Sequence, residues 1–360
     1  MRISEARRVA ITVLTAGLAS LLPGGVARAQ DAPAVPTLVK LWANGAPGSE
    51  ARRDEAEIAQ DYWVRNVHNP SLTVFRPVLH SNGAAIVVVP GGGHRLIVWA
   101  TEGVNVARAL NRYGLTVFVL KYRLAREQGS TYSVTRDAAA DARRAIRWVR
   151  AHAADYGVDP HRVGMMGFSA GGELVSLVAD NKEARPPAPR DAVDRLSARP
   201  DFQVLVFPGP LGVPADAVAG APPAFITAGS LDECCAAPAV RLYEQLRAAK
   251  VPAELHMYAG AGHAFNLDES NRISIVHWPD RLSDWLADEG WLDSSSPRVA
   301  ASVVAGDSTL SRTSLPPVTP TDAAPQAESG PHRLGGADVR CQSGLGCVRS
   351  ELLDGRAGSA

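Results

Sequence analysis

A serine flanked by glycines stands where a predicted strand meets a predicted helix. Residues 167–171 read Gly-Phe-Ser-Ala-Gly. The apolar run 163–168 predicts a buried strand, and residues 169–179 predict a helix. In the G-x-S-x-G pattern the turn between strand and helix exposes the serine hydroxyl, and the glycines allow the two elements to approach closely. The spacing therefore predicts that Ser169 is a nucleophile. The alternative is a serine that only caps the helix.

A serine nucleophile needs a base that takes its proton and an acid that orients the base. His263 lies in a glycine-containing loop after the extended run 253–258, and Asp232 follows the apolar run 224–228. Both residues therefore stand at the carboxyl ends of predicted strands, where open sheets place their sites. The chain order serine, aspartate, histidine predicts a catalytic triad of Ser169, Asp232 and His263.

Other side chains compete for the acid and base roles. Glu233 is adjacent to Asp232, and Asp268 is near His263, so both carboxylates remain alternatives for the acid. Asp232 is preferred because it lies at the carboxyl end of a predicted strand. The other histidines either lack the loop placement or flank the nucleophile strand at its opposite end: His68, His80, His152, His161, His256 and His277.

A second glycine run is the predicted oxyanion hole. Residues 90–94 read Pro-Gly-Gly-Gly-His and directly follow an apolar run. Glycines allow backbone N–H groups to approach a reacting carbonyl, so we expect the N–H of Gly92 or Gly93 to act together with the N–H of Ala170. His94 is a candidate for substrate binding. A phosphate-binding loop is disfavoured because neither G-x-G-x-x-G nor Gly-Lys-Ser/Thr spacing is present.

Strands and helices alternate through the middle of the chain. Continuous apolar runs predict strands buried on both faces, and residues 137–153 carry apolar side chains at helical spacing up to Gly157. Repeated strand-helix units predict the α/β class, with a mostly parallel central sheet covered by helices on both faces.

Composition excludes several kinds of partner. The chain has 360 residues, of which 46% are hydrophobic and 21% are charged, and its 37 basic and 37 acidic residues balance. A balanced charge gives no attraction to nucleic acid or to an anionic membrane. The expected partner is therefore a neutral small molecule or polymer. Because no H-E-x-x-H, paired C-x-x-C or EF-hand spacing occurs, neither a metal nor another cofactor is predicted.

The two ends of the chain differ from its middle. Residues 1–29 combine a basic start, an apolar run and a small-x-small site, which predicts a signal peptide and a periplasmic or secreted bacterial protein. A membrane anchor is the alternative, but the run is shorter than the roughly 20 residues of a span. The general and the twin-arginine export routes both stay open. Residues 294–360 predict a disordered tail, which leaves a catalytic domain over residues 30–293.

Four cysteines permit three complete disulfide pairings in an oxidising compartment. Cys341 and Cys347 are placed to close a small loop in the tail. A bridge between Cys234 and Cys235 is disfavoured, because adjacent α-carbons are about 3.8 Å apart and most disulfides span at least about 4.4 Å.

With these motifs the chain resembles the α/β-hydrolase superfamily and, within it, bacterial carbohydrate esterases of the acetylxylan and feruloyl esterase kind. The likeness runs from about residue 41 to 292 and includes segments 41–48, 90–93 and 159–164. It implies a serine carboxylesterase that hydrolyses acetyl or feruloyl esters on plant polysaccharide or oligosaccharide, with the predicted triad as nucleophile, acid and base.

Two departures from the family pattern affect the expected substrate preference. His94 stands where many relatives carry an aromatic residue, and residues 233–235 replace an apolar turn. A prolyl-peptidase-like serine peptidase and a non-catalytic binding protein with a hydrolase fold remain the alternatives. The peptidase usually has an accessory domain for which this chain has no room, and the binding protein would be expected to have a damaged triad.

Overall fold

A computed structural model of the chain describes residues 36–77, 80–181, 189–214, 220–267, 275 and 277–292. The predicted signal peptide, the predicted tail, Asp268, Cys341 and Cys347 lie outside the described residues, so those predictions stand as predictions. No helix within the described ranges is both long enough and apolar enough to cross a membrane.

The described residues form two β-sheets and a set of helices. The strands are β1 (Thr37–Lys40), β2 (Ile58–Gln60), β3 (Trp63–Arg65), β4 (Ser71–Phe75), β5 (Ala85–Val89), β6 (Ile97–Val98), β7 (Thr116–Lys121), β8 (Val163–Phe168), β9 (Gln203–Val206), β10 (Ala224–Gly229) and β11 (Ala253–Tyr258). The helices are α1 (Asn105–Asn111), α2 (Ala139–Ala151), α3 (Ala170–Ala179), α4 (Ala236–Ala248) and α5 (Trp278–Asp288).

The large sheet has the strand order β1-β4-β7-β5-β8-β9-β10-β11. All pairs from β7 to β11 are parallel, whereas β4 pairs with β7, and β1 with β4, in the antiparallel sense. Val89 at the end of β5 pairs with Gly167 near the end of β8. This register places the glycine run that follows β5 beside the serine that follows β8.

Helices cover both faces of the large sheet, as the sequence predicts. Successive residues of β5 alternate between two apolar clusters: Ala85, Val87 and Val89 belong to one, and Ile86 and Val88 to the other. The first cluster contains buried residues of α2, α3 and α4, and the second contains buried residues of α1 and α5. Full burial of a large aliphatic side chain contributes about 1.5–3 kcal/mol, so the strand is stabilised from both sides.

Several local details differ from the sequence expectation. The strands β2, β3 and β6 form a small separate antiparallel sheet that the sequence pattern did not predict. Its third strand, β6, is tied to the glycine run, because the Val98 N–H donates to the Gly91 carbonyl at 3.1 Å. A π-helical turn, Ala100–Val104, precedes α1.

Candidate active site

Ser169 occupies a sharp turn between β8 and α3. Its backbone has φ +50° and ψ −116°, a region that L-residues rarely adopt. Three backbone hydrogen bonds hold it: the Ser169 N–H donates to Val206, and its carbonyl accepts from Glu173 and Gly209. A side chain on Gly171 would collide with the Val89 carbonyl. The glycine is therefore required for the close approach of strand and helix that the motif predicts.

The structure brings Ser169, His263 and Asp232 into one chain of hydrogen bonds. The Ser169 Oγ lies 2.9 Å from His263 Nε2, and His263 Nδ1 lies 2.7 Å from Asp232 Oδ2. The carboxylate requires a proton on Nδ1, which leaves the Nε2 lone pair to accept from the serine hydroxyl. Asp232 is 3% exposed, whereas the His263 side chain is 37% exposed. The imidazole thus faces solvent on one side and a buried carboxylate on the other.

Local structure fixes the acid and the base. Asp232 follows β10 in a turn in which its N–H donates to the Gly229 carbonyl. The His263 ring packs edge-on against Phe207, at 4.8 Å between ring centroids. The rival acid Glu233 is exposed. Of the rival histidines, His256 lies on β11 and pairs with Glu254, away from the serine.

Cys234 and Cys235 form a disulfide bond, so the expectation that adjacent cysteines do not bridge is wrong. Their α-carbons are 3.8 Å apart, the spacing of any trans neighbours. The lower limit of about 4.4 Å describes the usual disulfides between separated residues. Adjacent cysteines instead close a small ring that contains their shared peptide bond.

The glycine run lies against the serine turn, where the oxyanion hole is predicted. Gly92 and Gly93 have φ of +118° and +64°. The Gly91 N–H is not available as an oxyanion donor, because it donates to Glu102 Oε2 at 2.6 Å. A Cβ added to Gly91 would lie 3.0 Å from Ser169 Cβ, which shows how closely the loop approaches the nucleophile.

The helix start supplies the other predicted donor. Ala170 is the first residue of α3, and the N–H groups of the first helical turn have no intrahelical partner. They also lie at the positive end of the helix dipole, next to the serine hydroxyl.

Glu102 is a buried acid for which sequence reasoning assigned no role. It is 4% exposed, and burial raises its pKa from 4.5 to about 7, although the hydrogen bond from Gly91 acts in the opposite direction. Its carboxyl group anchors the first glycine of the run. In the sequence, the feature that could have indicated this role is an acidic residue within the apolar stretch that follows the glycine loop.

The prediction that His94 binds substrate is not what the structure shows. His94 is fully buried, and its Nε2 lies 2.8 Å from Glu173 Oε2 on α3. Glu173 also accepts the Leu211 N–H at 3.2 Å. The pair joins the glycine loop to the helix that starts at Ala170. Glu173 could have been noticed in the sequence as the single charged residue of an apolar helix.

One cluster in the described part of the chain has metal-ligating residue types. Ligand atoms of Asp232, Cys234, Cys235 and His263 lie within 4.8 Å of one another. The two sulfur atoms are bonded to each other, and thiolates rather than disulfide sulfurs bind metals. His263 Nδ1 is in turn engaged with Asp232. The observed arrangement therefore suits proton transfer rather than metal binding.

The strand order, the serine turn and the hydrogen-bond chain together define a hydrolase fold with a Ser-His-Asp site. The chain has the α/β-hydrolase fold. The BD-FAE family model matches residues 74–195, which include Ser169 and the glycine run. The Dienelactone hydrolase family model matches residues 198–291, which include Asp232 and His263.

Among relatives, the chain is similar to an acetylxylan esterase of Xylanibacter ruminicola, with 34% identity over 127 residues, or 35% of this chain and 23% of that protein. The chain thus spans about a quarter of the length of this curated relative.

Solved esterase structures share the fold. The acetyl ester-xyloside bifunctional hydrolase of Caldicellulosiruptor lactoaceticus has 26% identity and a TM-score of 0.57, covering 71% of this chain and 97% of that chain. Thermogutta terrifontis esterase 2 phosphorylated by paraoxon has 26% identity and a TM-score of 0.54, covering 66% and 96%.

Proposed function

We propose that this protein is an exported serine carboxylesterase that hydrolyses acetyl esters on xylan-derived carbohydrate. The observation that carries the proposal is the continuous hydrogen-bond chain from Ser169 through His263 to Asp232 at the turn between strand and helix. This series of hydrogen bonds meets the two requirements of a serine nucleophile. A base lies within hydrogen-bond distance of the serine, and an acid fixes the tautomer of that base.

The first half-reaction forms an acyl-enzyme. As Ser169 Oγ attacks the ester carbonyl carbon, its proton passes to His263 Nε2, and Asp232 stabilises the imidazolium. The negative charge that develops on the carbonyl oxygen is stabilised by the N–H of Ala170 and by the N–H of Gly92 or Gly93. The tetrahedral intermediate collapses, and His263 returns the proton to the departing sugar oxygen.

The second half-reaction releases the acid. Water attacks the acyl carbonyl while His263 Nε2 accepts one of its protons, and the same donors stabilise the second oxyanion. Ser169 then leaves with the proton from His263. The products are a carboxylic acid and a free hydroxyl on the carbohydrate, and the enzyme returns to its initial state.

The choice of an acetyl ester rests on relatives. One is named an acetylxylan esterase, and one structural neighbour an acetyl ester-xyloside bifunctional hydrolase. Neither of these two names refers to a feruloyl ester, so the feruloyl ester predicted from the sequence is one of the substrates compared in the substrate test. Export is proposed from the sequence of residues 1–29, and N-terminal sequencing of the mature protein should give a start near Gln30.

The nucleophile is tested by Ser169→Ala. Turnover of p-nitrophenyl acetate should fall by roughly 10⁴-fold or more, because removal of the nucleophile leaves only the oxyanion donors and binding. The matched control is Ser81→Ala, which removes an exposed hydroxyl far from the site in sequence. A fluorophosphonate probe should label the parent and the control but not Ser169→Ala. Retained turnover in a folded Ser169→Ala protein would overturn the assignment.

The substrate class is tested with acetylated xylo-oligosaccharide, a feruloylated sugar and a Xaa-Pro peptide. The proposal expects the highest kcat/KM for the acetylated oligosaccharide. A preference for the peptide would replace the esterase proposal with the peptidase alternative. Failure of the probe to label any serine would support the binding-protein alternative.

A further inference from the structure

The Cys234–Cys235 disulfide lies at the acid of the proposed triad, next to the imidazole. We propose that this disulfide positions Asp232 and His263, so that its reduction by a dithiol lowers turnover without unfolding the protein. The inference rests on the proposed esterase function and assigns a role to two residues outside the triad.

The peptide group inside the disulfide ring binds the acid directly. The Cys235 N–H, which belongs to the bond between the two cysteines, donates to Asp232 Oδ1 at 3.1 Å. The other oxygen of the carboxylate, Oδ2, accepts from His263 Nδ1. The two carboxylate oxygens therefore connect the ring on one side to the imidazole on the other. A fixed N–H orientation in the ring fixes the carboxylate and, through it, the plane of the base.

The ring is anchored to the core through Cys235. This residue is 1% exposed, belongs to the same apolar cluster as Phe207 and Tyr258, and directly precedes α4. Phe207 is also the ring that packs against His263. The disulfide therefore lies between the buried apolar cluster and Asp232. A local change in its backbone would alter the positions of both Asp232 and His263.

The Cys234 sulfur contacts the base and is accessible from solvent. Its Sγ lies 3.6 Å from His263 Nδ1, and the residue is exposed. One thiolate of a dithiol can attack Cys234 Sγ, with Cys235 leaving as a thiolate, and the second thiol then closes a cyclic disulfide on the reductant. Two electrons and two protons pass to the protein, which gains two cysteine thiols.

Reduction changes the surroundings of the pair in two ways. The opened ring no longer restricts the peptide that carries the Cys235 N–H, so the hydrogen bond to Asp232 Oδ1 loses its fixed geometry. The new Cys234 thiol also stands beside His263 Nδ1, where it competes with Asp232 for the imidazole. Both changes reduce the fraction of molecules in which Nε2 faces Ser169 correctly.

The experiment compares the oxidised and dithiothreitol-reduced full-length protein with p-nitrophenyl acetate. Reduction should lower kcat on the order of 10-fold, the scale expected for a small misplacement of a catalytic group, with KM changed less than about twofold. Reoxidation should restore the original kcat.

Two double variants separate the two pairs of cysteines. In Cys341→Ser/Cys347→Ser the loss of kcat on reduction should persist, because the ring is retained. Cys234→Ser/Cys235→Ser should have a low kcat that dithiothreitol does not change. If the latter variant does not fold, reversible reduction of the former still tests the inference, since Cys234 and Cys235 are then its only cysteines.

A chelator is included throughout, because the freed thiols together with Asp232 and His263 form a set of potential zinc ligands. Mass spectrometry after alkylation counts the reduced thiols, and circular dichroism verifies the fold. If reduction is complete and the protein remains folded but kcat is unchanged, the inference is wrong. If the oxidised protein has no esterase activity, it is the proposed function that fails.

Discussion

The substitution Glu102→Gln should increase stability at alkaline pH while leaving it little changed at acid pH. Glu102 is 4% exposed, and burial raises its pKa to about 7 from an ordinary 4.5. Between these two pH values the folded protein holds a proton that the unfolded chain has lost, so the stability of the parent falls as pH rises. A shift of this size corresponds to about 3 kcal/mol of unfolding free energy.

Glutamine carries no titrating proton and keeps an oxygen that can accept the Gly91 N–H. The difference in unfolding free energy between variant and parent should therefore grow by about 3 kcal/mol between pH 4.5 and pH 8. In a domain of this size that is a change of roughly 6–12 °C in the difference between the two Tm values. Asp180, whose pKa burial also raises to about 7, is present in both proteins and cancels in the comparison.

The assay is thermal unfolding of both proteins followed by circular dichroism at pH 5, 6, 7 and 8.5. Glu244→Gln is the matched control, because it makes the same chemical change at an exposed position on α4. Its Tm difference from the parent should not vary with pH. If the Tm difference of Glu102→Gln is the same at pH 5 and pH 8.5, the buried carboxyl does not titrate as described and the argument fails.

Three further substitutions test the supports of the fold and the site. Glu173→Ala leaves the buried His94 imidazole without its acceptor, so kcat should fall with KM nearly unchanged in steady-state assays. Asp141→Ala leaves the 1% exposed Arg123 guanidinium without its main partner, and chemical denaturation should show a loss of about 3–5 kcal/mol. Gly171→Ala drives a methyl group into the Val89 carbonyl, which should abolish soluble expression, whereas Gly262→Ala, with open space around it, should express normally.

Local sequence patterns were enough to predict the order of the core elements and which three side chains the structure joins by hydrogen bonds at the candidate site. The apolar runs of the parallel strands are long and continuous because both faces of the sheet are covered, and this pattern is visible without a structure. Ser169, Asp232 and His263 each follow such a run, so the pattern also predicts that they meet at one sheet edge. The small sheet of β2, β3 and β6 was missed because its strands have two or three residues each.

The pairing of buried polar groups was decided by the tertiary structure. His94 looked like a substrate ligand because it follows the glycine run, but it turns inward to Glu173, a residue 79 positions away in the chain. The sequence likewise gives no indication that the Glu102 carboxyl group accepts a hydrogen bond from Gly91.

The sequence by itself determined which residues can do chemistry and in what order, because catalytic residue types and strand patterns are local properties. It did not determine what holds them in place. The hydrogen bond from Cys235 to Asp232 and the bridge between adjacent cysteines depend on backbone directions at the end of β10. Such directions follow from packing across the whole sheet, which only the folded chain provides.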